Sequence, residues 1–82
     1  MSDGPVGVIG SLAVATRGAQ GAGEVVLKIR GATETYLAWS AEPLPKRTRV
    51  LVVAERGART VEVIAFPDHE DAGPVRSSEL DL

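Results

Sequence analysis

The sequence predicts an all-β fold, a small five-stranded antiparallel barrel with a disordered acidic C-terminal tail. Three observations predict it. Apolar and polar residues alternate at period two in short segments. Glycine, proline or charged residues separate those segments. No stretch carries the i, i+3, i+4 apolar spacing of an amphipathic helix. At 82 residues the chain has room for one modest core. A folded segment of roughly 60 residues buries only about 60% of the surface its unfolded chain exposes, so forming a homo-oligomer is one route to added stability.

The first strand is predicted over Val8 to Thr16, rich in valine, isoleucine and alanine. It ends at Arg17-Gly18-Ala19-Gln20-Gly21-Ala22-Gly23, where three glycines argue for a loose connection without a helix. The second runs from Glu24 to Arg30, with Val25, Leu27 and Ile29 on one face and Val26, Lys28 and Arg30 on the other, a half-buried antiparallel strand with a wet charged face. Gly31-Ala32 is expected to turn the chain into a third strand, Thr33 to Ser40. Its inner face stays open, since Leu37 and Trp39 argue for one side and Ala38 beside Tyr36 for the other.

Two prolines, Pro43 and Pro45, keep Ala41 to Pro45 from forming a useful helix. The fourth strand, Thr48 to Glu55, is nearly all apolar and is expected to be the most buried. Arg56-Gly57-Ala58 turns it back into a fifth, Arg59 to Phe66, with Val61, Val63 and Ala65 facing opposite to Thr60, Glu62, Ile64 and Phe66. Pro67 ends that strand. Beyond it apolar periodicity is lost, so the chain divides into a barrel over 6–66 and a disordered tail over 67–82. Five short strands with glycine turns fit an OB-type or an SH3-like barrel, and pattern alone leaves both open.

The order of residues narrows the choice. Gly7-Val8-Ile9-Gly10 enters the first strand, Gly21-Ala22-Gly23-Glu24-Val25 opens the second, Gly31 precedes Tyr36-Leu37-Ala38-Trp39-Ser40, and Thr48-Arg49-Val50-Leu51-Val52-Val53 forms the fourth. From Val6 to Phe66 this resembles the C-terminal domain of NfeD-like proteins, in their actinobacterial form. The resemblance implies a five-stranded OB-fold barrel whose usual helix is reduced to a turn. It also implies a role as partner or scaffold of stomatin-, prohibitin- or flotillin-type membrane-associated proteins. One position departs from the family's pattern: Arg47 stands where a glycine usually precedes the Thr-x-Val of the fourth strand. If that position needs a positive φ, a side chain there costs on the order of 1 kcal/mol.

Composition excludes several functions. Without cysteine there is no disulfide framework, thiolate metal site or cysteine nucleophile, which fits a reducing, cytoplasmic setting. The longest apolar run, Val50 to Ala54, is far short of the ~20 residues of a membrane helix, and the first residues lack a basic-then-apolar signal pattern. Membrane association is therefore expected through a partner or through an anchor outside these residues. The family's membrane helices and, in long members, its serine-protease domain have no counterpart here, so nothing enzymatic carries over.

The remaining candidates are few. Ser11, Ser40, Ser77 and Ser78 lack a histidine or lysine base at a sensible place, and the Gly18 to Gly23 loop precedes no helix that could hold phosphate, so no enzyme and no cofactor are expected. His69, in Asp68-His69-Glu70-Asp71, lies in tail sequence without a packed framework to hold a metal. Residues 1–66 carry eight Lys/Arg against six acids, while residues 67–82 carry one against five. The candidate interaction surface comprises Tyr36, Trp39, Lys28 and Arg30, on the hairpin of the second and third strands. The alternative function is single-stranded nucleic-acid binding, since OB barrels use aromatic platforms in a basic groove. A charge excess of only +2 on the barrel and an acidic tail that competes for it make nucleic acid the weaker partner.

Overall fold

The computed structural model describes residues 4–66; the tail, with its acidic cluster around His69, lies outside the described residues. The strands are β1 (Ile9–Val14), β2 (Gly23–Ile29), β3 (Ala32–Trp39), β4 (Arg49–Gly57) and β5 (Thr60–Ala65). They close into a barrel in the order β1-β2-β3-β5-β4, with β4 returning to β1.

The expected all-antiparallel arrangement needs one correction, because β3 and β5 run parallel through Leu37↔Thr60, Ala38↔Val61 and Trp39↔Glu62. Topology requires such a seam. Each antiparallel junction reverses strand direction, and a closed ring must return to the direction it started from. The number of reversals is therefore even, and five junctions must include a parallel one. Here four are antiparallel.

The core draws on all the strands: Leu12 from β1, Val25 and Leu27 from β2, Ala38 from β3, Val50 and Val52 from β4, Val61 and Val63 from β5. The side chains are small because the interior of a narrow barrel holds only short, branched groups. That settles the open face of β3. Ala38 is fully buried and Tyr36 packs against the core, whereas Leu37 is 47% exposed. Strand β4 is not the most buried element, contrary to expectation. Only Val50 and Val52 point fully inward, and a register shift between Val52 and Ala54 leaves Val53 43% exposed on a bulge. Continuous apolar sequence here reflects two occupied faces, not two buried ones.

The turns also shift by a residue. The first hairpin pairs Ile29 with Ala32, so its central residues are Arg30 and Gly31, both at positive φ (55° and 83°), as a two-residue type I′ turn demands. The second turns at Ala58 and Arg59, the latter with φ 50°. The glycine-rich link after β1, expected to lack helix, winds one 3-10 turn over Gly18–Gln20. Gly10 and Gly23 mark places where the barrel closes tightly. A Cβ on Gly10 would meet the carbonyl oxygen of Val26, and one on Gly23 that of Val14.

In place of a helix between β3 and β4, residues 40–48 form an irregular connection that bends after Ser40 and turns at Lys46-Arg47, with Leu44 packed against the core. Thr16, 2% exposed, holds this connection. Its N–H donates to the Leu44 carbonyl (2.9 Å), and its Oγ1 accepts from the Leu44 N–H (2.8 Å). Ser40 Oγ, donating to the Glu42 carbonyl at 2.7 Å, accepts the Thr16 hydroxyl at 2.6 Å. Each hydroxyl proton thus has one acceptor, which a buried polar group requires.

Arg47 adopts φ 77°, because the Arg47 N–H donates to Leu12 O (2.8 Å) while Leu12 N–H donates to Thr48 O (3.0 Å), and the chain can bracket Leu12 only by turning sharply there. Arg47→Gly keeps both bonds and relieves the left-handed conformation. It is expected to stabilise the barrel by roughly 1 kcal/mol, less the entropy that glycine adds to the unfolded chain. Urea unfolding of the two proteins checks this, and a loss of stability would contradict it.

Candidate interaction surface

The outer face of the barrel carries an apolar row. The register pairs Ile9 with Leu51 and Leu51 with Ile64, aligning three apolar side chains across β1, β4 and β5. Ile9 is 41% and Ile64 51% exposed. Two residues back along β5 from Ile64, Glu62 faces the same side and pairs with Trp39 across the parallel seam. Trp39, Val53 and Ile64 line one depression together with Ala41, Arg56 and Glu62. Contiguous exposed apolar surface of this kind marks an interaction site more often than scattered single residues do.

A charged lid covers part of it. The Arg56 guanidinium lies 5.3 Å from the Trp39 ring centroid, and Arg56 Nε donates to Glu62 Oε2 at 2.8 Å. Both partners of that ion pair are more than two-fifths exposed. An exposed pair is worth only about 0–1 kcal/mol, and an exposed cation–π contact about 0.5–1 kcal/mol. A partner can therefore displace Arg56 at low cost while the strands beneath stay fixed.

The same device recurs. Arg59 sits 5.3 Å from the Tyr36 centroid and bonds Glu34 (2.9 Å), and Arg49 sits 5.8 Å from that of Phe66. The hydrogen bond to Glu34 raises the Arg59 pKa further above its ordinary value, so this lid is always charged. Trp39, Tyr36 and Phe66 are all the aromatic residues in the chain, and each has an arginine over its ring.

The four residues singled out from the sequence fall on three surfaces. Trp39 belongs to the depression just described. Tyr36 and Arg30 flank another, with Ile29, Ala32 and Glu34, at the hairpin end. Lys28 lies in a third, facing Arg49 over Ile9 and Val26. Alternation along β3 places Tyr36 and Trp39 on opposite faces, so no single ligand-sized site unites them. Sequence reasoning missed Val53, Arg56, Glu62 and Ile64. Two signals pointed to them: apolar Val52 and Val53 in succession, which break strict alternation, and Ile64 out of phase with Val61 and Val63. Among the described residues no group of His, Cys, Asp or Glu converges as a metal site would, and no helix is long and apolar enough to cross a membrane.

The profile of the NfeD C-terminal domain family matches residues 9–64, which span all five strands. The soluble domain of the NfeD protein YuaF from Bacillus subtilis is similar in sequence and structure, at 30% identity and a TM-score of 0.59, over 72% of this chain and 70% of that one. The C-terminal domain of a stomatin operon partner protein from Pyrococcus horikoshii shares the fold, at 24% identity and a TM-score of 0.55, over 78% of this chain and 91% of that one. No curated protein matches the chain significantly.

Because the lid and the strands beneath are energetically separate, Arg56→Ala is expected to uncover Trp39 without unfolding the barrel. Acrylamide should quench the fluorescence of this sole tryptophan more strongly, with stability lowered by no more than about 1 kcal/mol. Unchanged quenching would show that the guanidinium does not shield the ring.

Proposed function

The chain belongs to the NfeD family, whose C-terminal domain it forms over residues 9–64, and on that premise we propose that its barrel is a non-enzymatic docking module for a stomatin-, prohibitin- or flotillin-type membrane-associated protein. The family supports a protein-interaction role. The observation that carries the reading is the exposed apolar row Ile9–Leu51–Ile64, continued by Val53 and by Trp39 under its Arg56 lid. A half-buried tryptophan beside aliphatic groups, rimmed by one ion pair, has the composition of an interface hot spot. A structural relative described as a stomatin operon partner supports the class of partner. On this reading the barrel works in the cytoplasm at the membrane periphery, held there by the partner or by an anchor elsewhere.

Single-strand nucleic-acid binding is the rival reading, and Lys28 facing Arg49 is the feature in its favour. It needs aromatic faces free for stacking within the basic groove. Arginines lie over all three rings, and Trp39 is on a different depression from Lys28.

The test is co-purification of the barrel with candidate partners from its native membrane fraction. Wild-type protein should retain a partner of that class, while Trp39→Ala and Ile64→Glu, both on the outer face and each checked for a folded barrel by its chemical shifts, should lose at least about tenfold in affinity, the scale of a hot-spot truncation. Retention by both variants, or sub-micromolar, salt-sensitive affinity for oligonucleotides in place of the ~10⁻⁴ to 10⁻⁶ M of non-specific contact, would overturn the proposal.

A further inference from the structure

A second outer surface, away from Trp39, has different chemistry. Ser11 pairs with Arg49 on one side and Val26 on the other, so these three share a row across β4, β1 and β2. With Ile9, Lys28 and Thr33 they line a groove with an aliphatic floor, two hydroxyls and two cations, and no acid among its lining residues. Arg56 and Arg59 each hold a carboxylate, on Glu62 and Glu34. Lys28 and Arg49 form no ion pair among the described residues. A groove of this make-up suits an extended segment carrying carboxylates.

The chain supplies one. Phe66, the last described residue, donates its N–H to Arg49 O (2.8 Å), and its ring lies beneath the Arg49 guanidinium, so the described barrel ends beside a residue that lines the groove. The residues that follow read Pro67-Asp68-His69-Glu70-Asp71, three carboxylates within five residues. An extended chain spans at most ~3.3–3.6 Å per residue, so Glu70 and Asp71 reach roughly 14–18 Å from Phe66. Adjacent strands are about 4.8 Å apart, and Lys28 on β2 is two strands from β4. The reach is ample. A tether this short presents its carboxylates at an effective concentration on the order of millimolar, so weak, salt-sensitive contacts suffice.

We propose that the Asp68–Asp71 segment is the occupant of the Lys28–Arg49 groove, an acidic strap by which the chain covers its own basic surface. Lys46 and Arg47, the other basic pair near β4, lack this groove, and neither lines it. The strap leaves the Trp39 depression open and meets the partner surface assigned above only at Ile9, which belongs to both, so the test reads the cationic side chains that belong to the groove alone.

The chain contains no cysteine, so Ala72→Cys in the full chain accepts a single nitroxide label next to the strap. At about 20 mM salt the label should reduce the amide signals of Ser11, Val26, Lys28 and Thr33 at least about twofold and by more than that of Thr60, and about 500 mM salt, with a Debye length of only a few ångströms, should reverse most of that difference. Lys28→Glu with Arg49→Glu should abolish the effect, and Lys28→Gln should weaken it if the double variant misfolds. Full signals at Val26 and Lys28 in low salt, broadening centred on Lys46 and Arg47, or indifference to salt and charge reversal would each overturn the proposal. So would an added oligothymidylate perturbing the groove while the label leaves it untouched, which would assign it to an external polyanion.

Discussion

Ring closure is the constraint on which the rest of this structure depends. Five strands cannot form a closed barrel without a parallel junction, and here that junction is a three-pair seam between β3 and β5. The seam buries Ala38 against Val61 inside and sets Trp39 beside Glu62 outside. It thereby places side chains far apart in sequence in one depression, with Arg56 reaching over from β4. At one end of the barrel the Thr16–Ser40–Leu44 bonds hold the link between β3 and β4 in place without a helix.

Much of the fold was legible because each strand carries its own alternation. Val25 and Leu27 on β2 point inward as their spacing requires. The parallel seam was not legible from any one segment, since it follows from counting directions around a ring. The turn positions slipped by a residue because arginine, at Arg30 and Arg59, occupies conformations that sequence reasoning reserves for glycine. Arg47 was legible by a different route. The glycine expected there was a sign that the backbone is left-handed, and the barrel holds the arginine in that conformation through its bond to Leu12.

The candidate surface was half legible. Trp39 stands out in any reading of so aromatic-poor a chain, but its neighbours come from β4 and β5 and are fixed only by the seam and the Val53 bulge. Lys28, Arg30 and Tyr36 are close to Trp39 in sequence yet lie on other surfaces, because a barrel only a few side chains wide turns adjacent residues to different sides. Nearness along a hairpin was a poor guide to nearness of side chains.

A rigid barrel with displaceable arginine lids suits binding in which the scaffold stays fixed and only surface side chains move, the usual behaviour of pre-organised interfaces. The most direct measurement is site-specific photocrosslinking within native membranes, with the crosslinker placed at Ile64 in one protein and at Thr35, exposed on the outer face of β3, in another. Crosslinks from Ile64 to a stomatin- or flotillin-type protein, and none from Thr35, are the result this account predicts. Crosslinks from Thr35 alone, or from neither position, would contradict it.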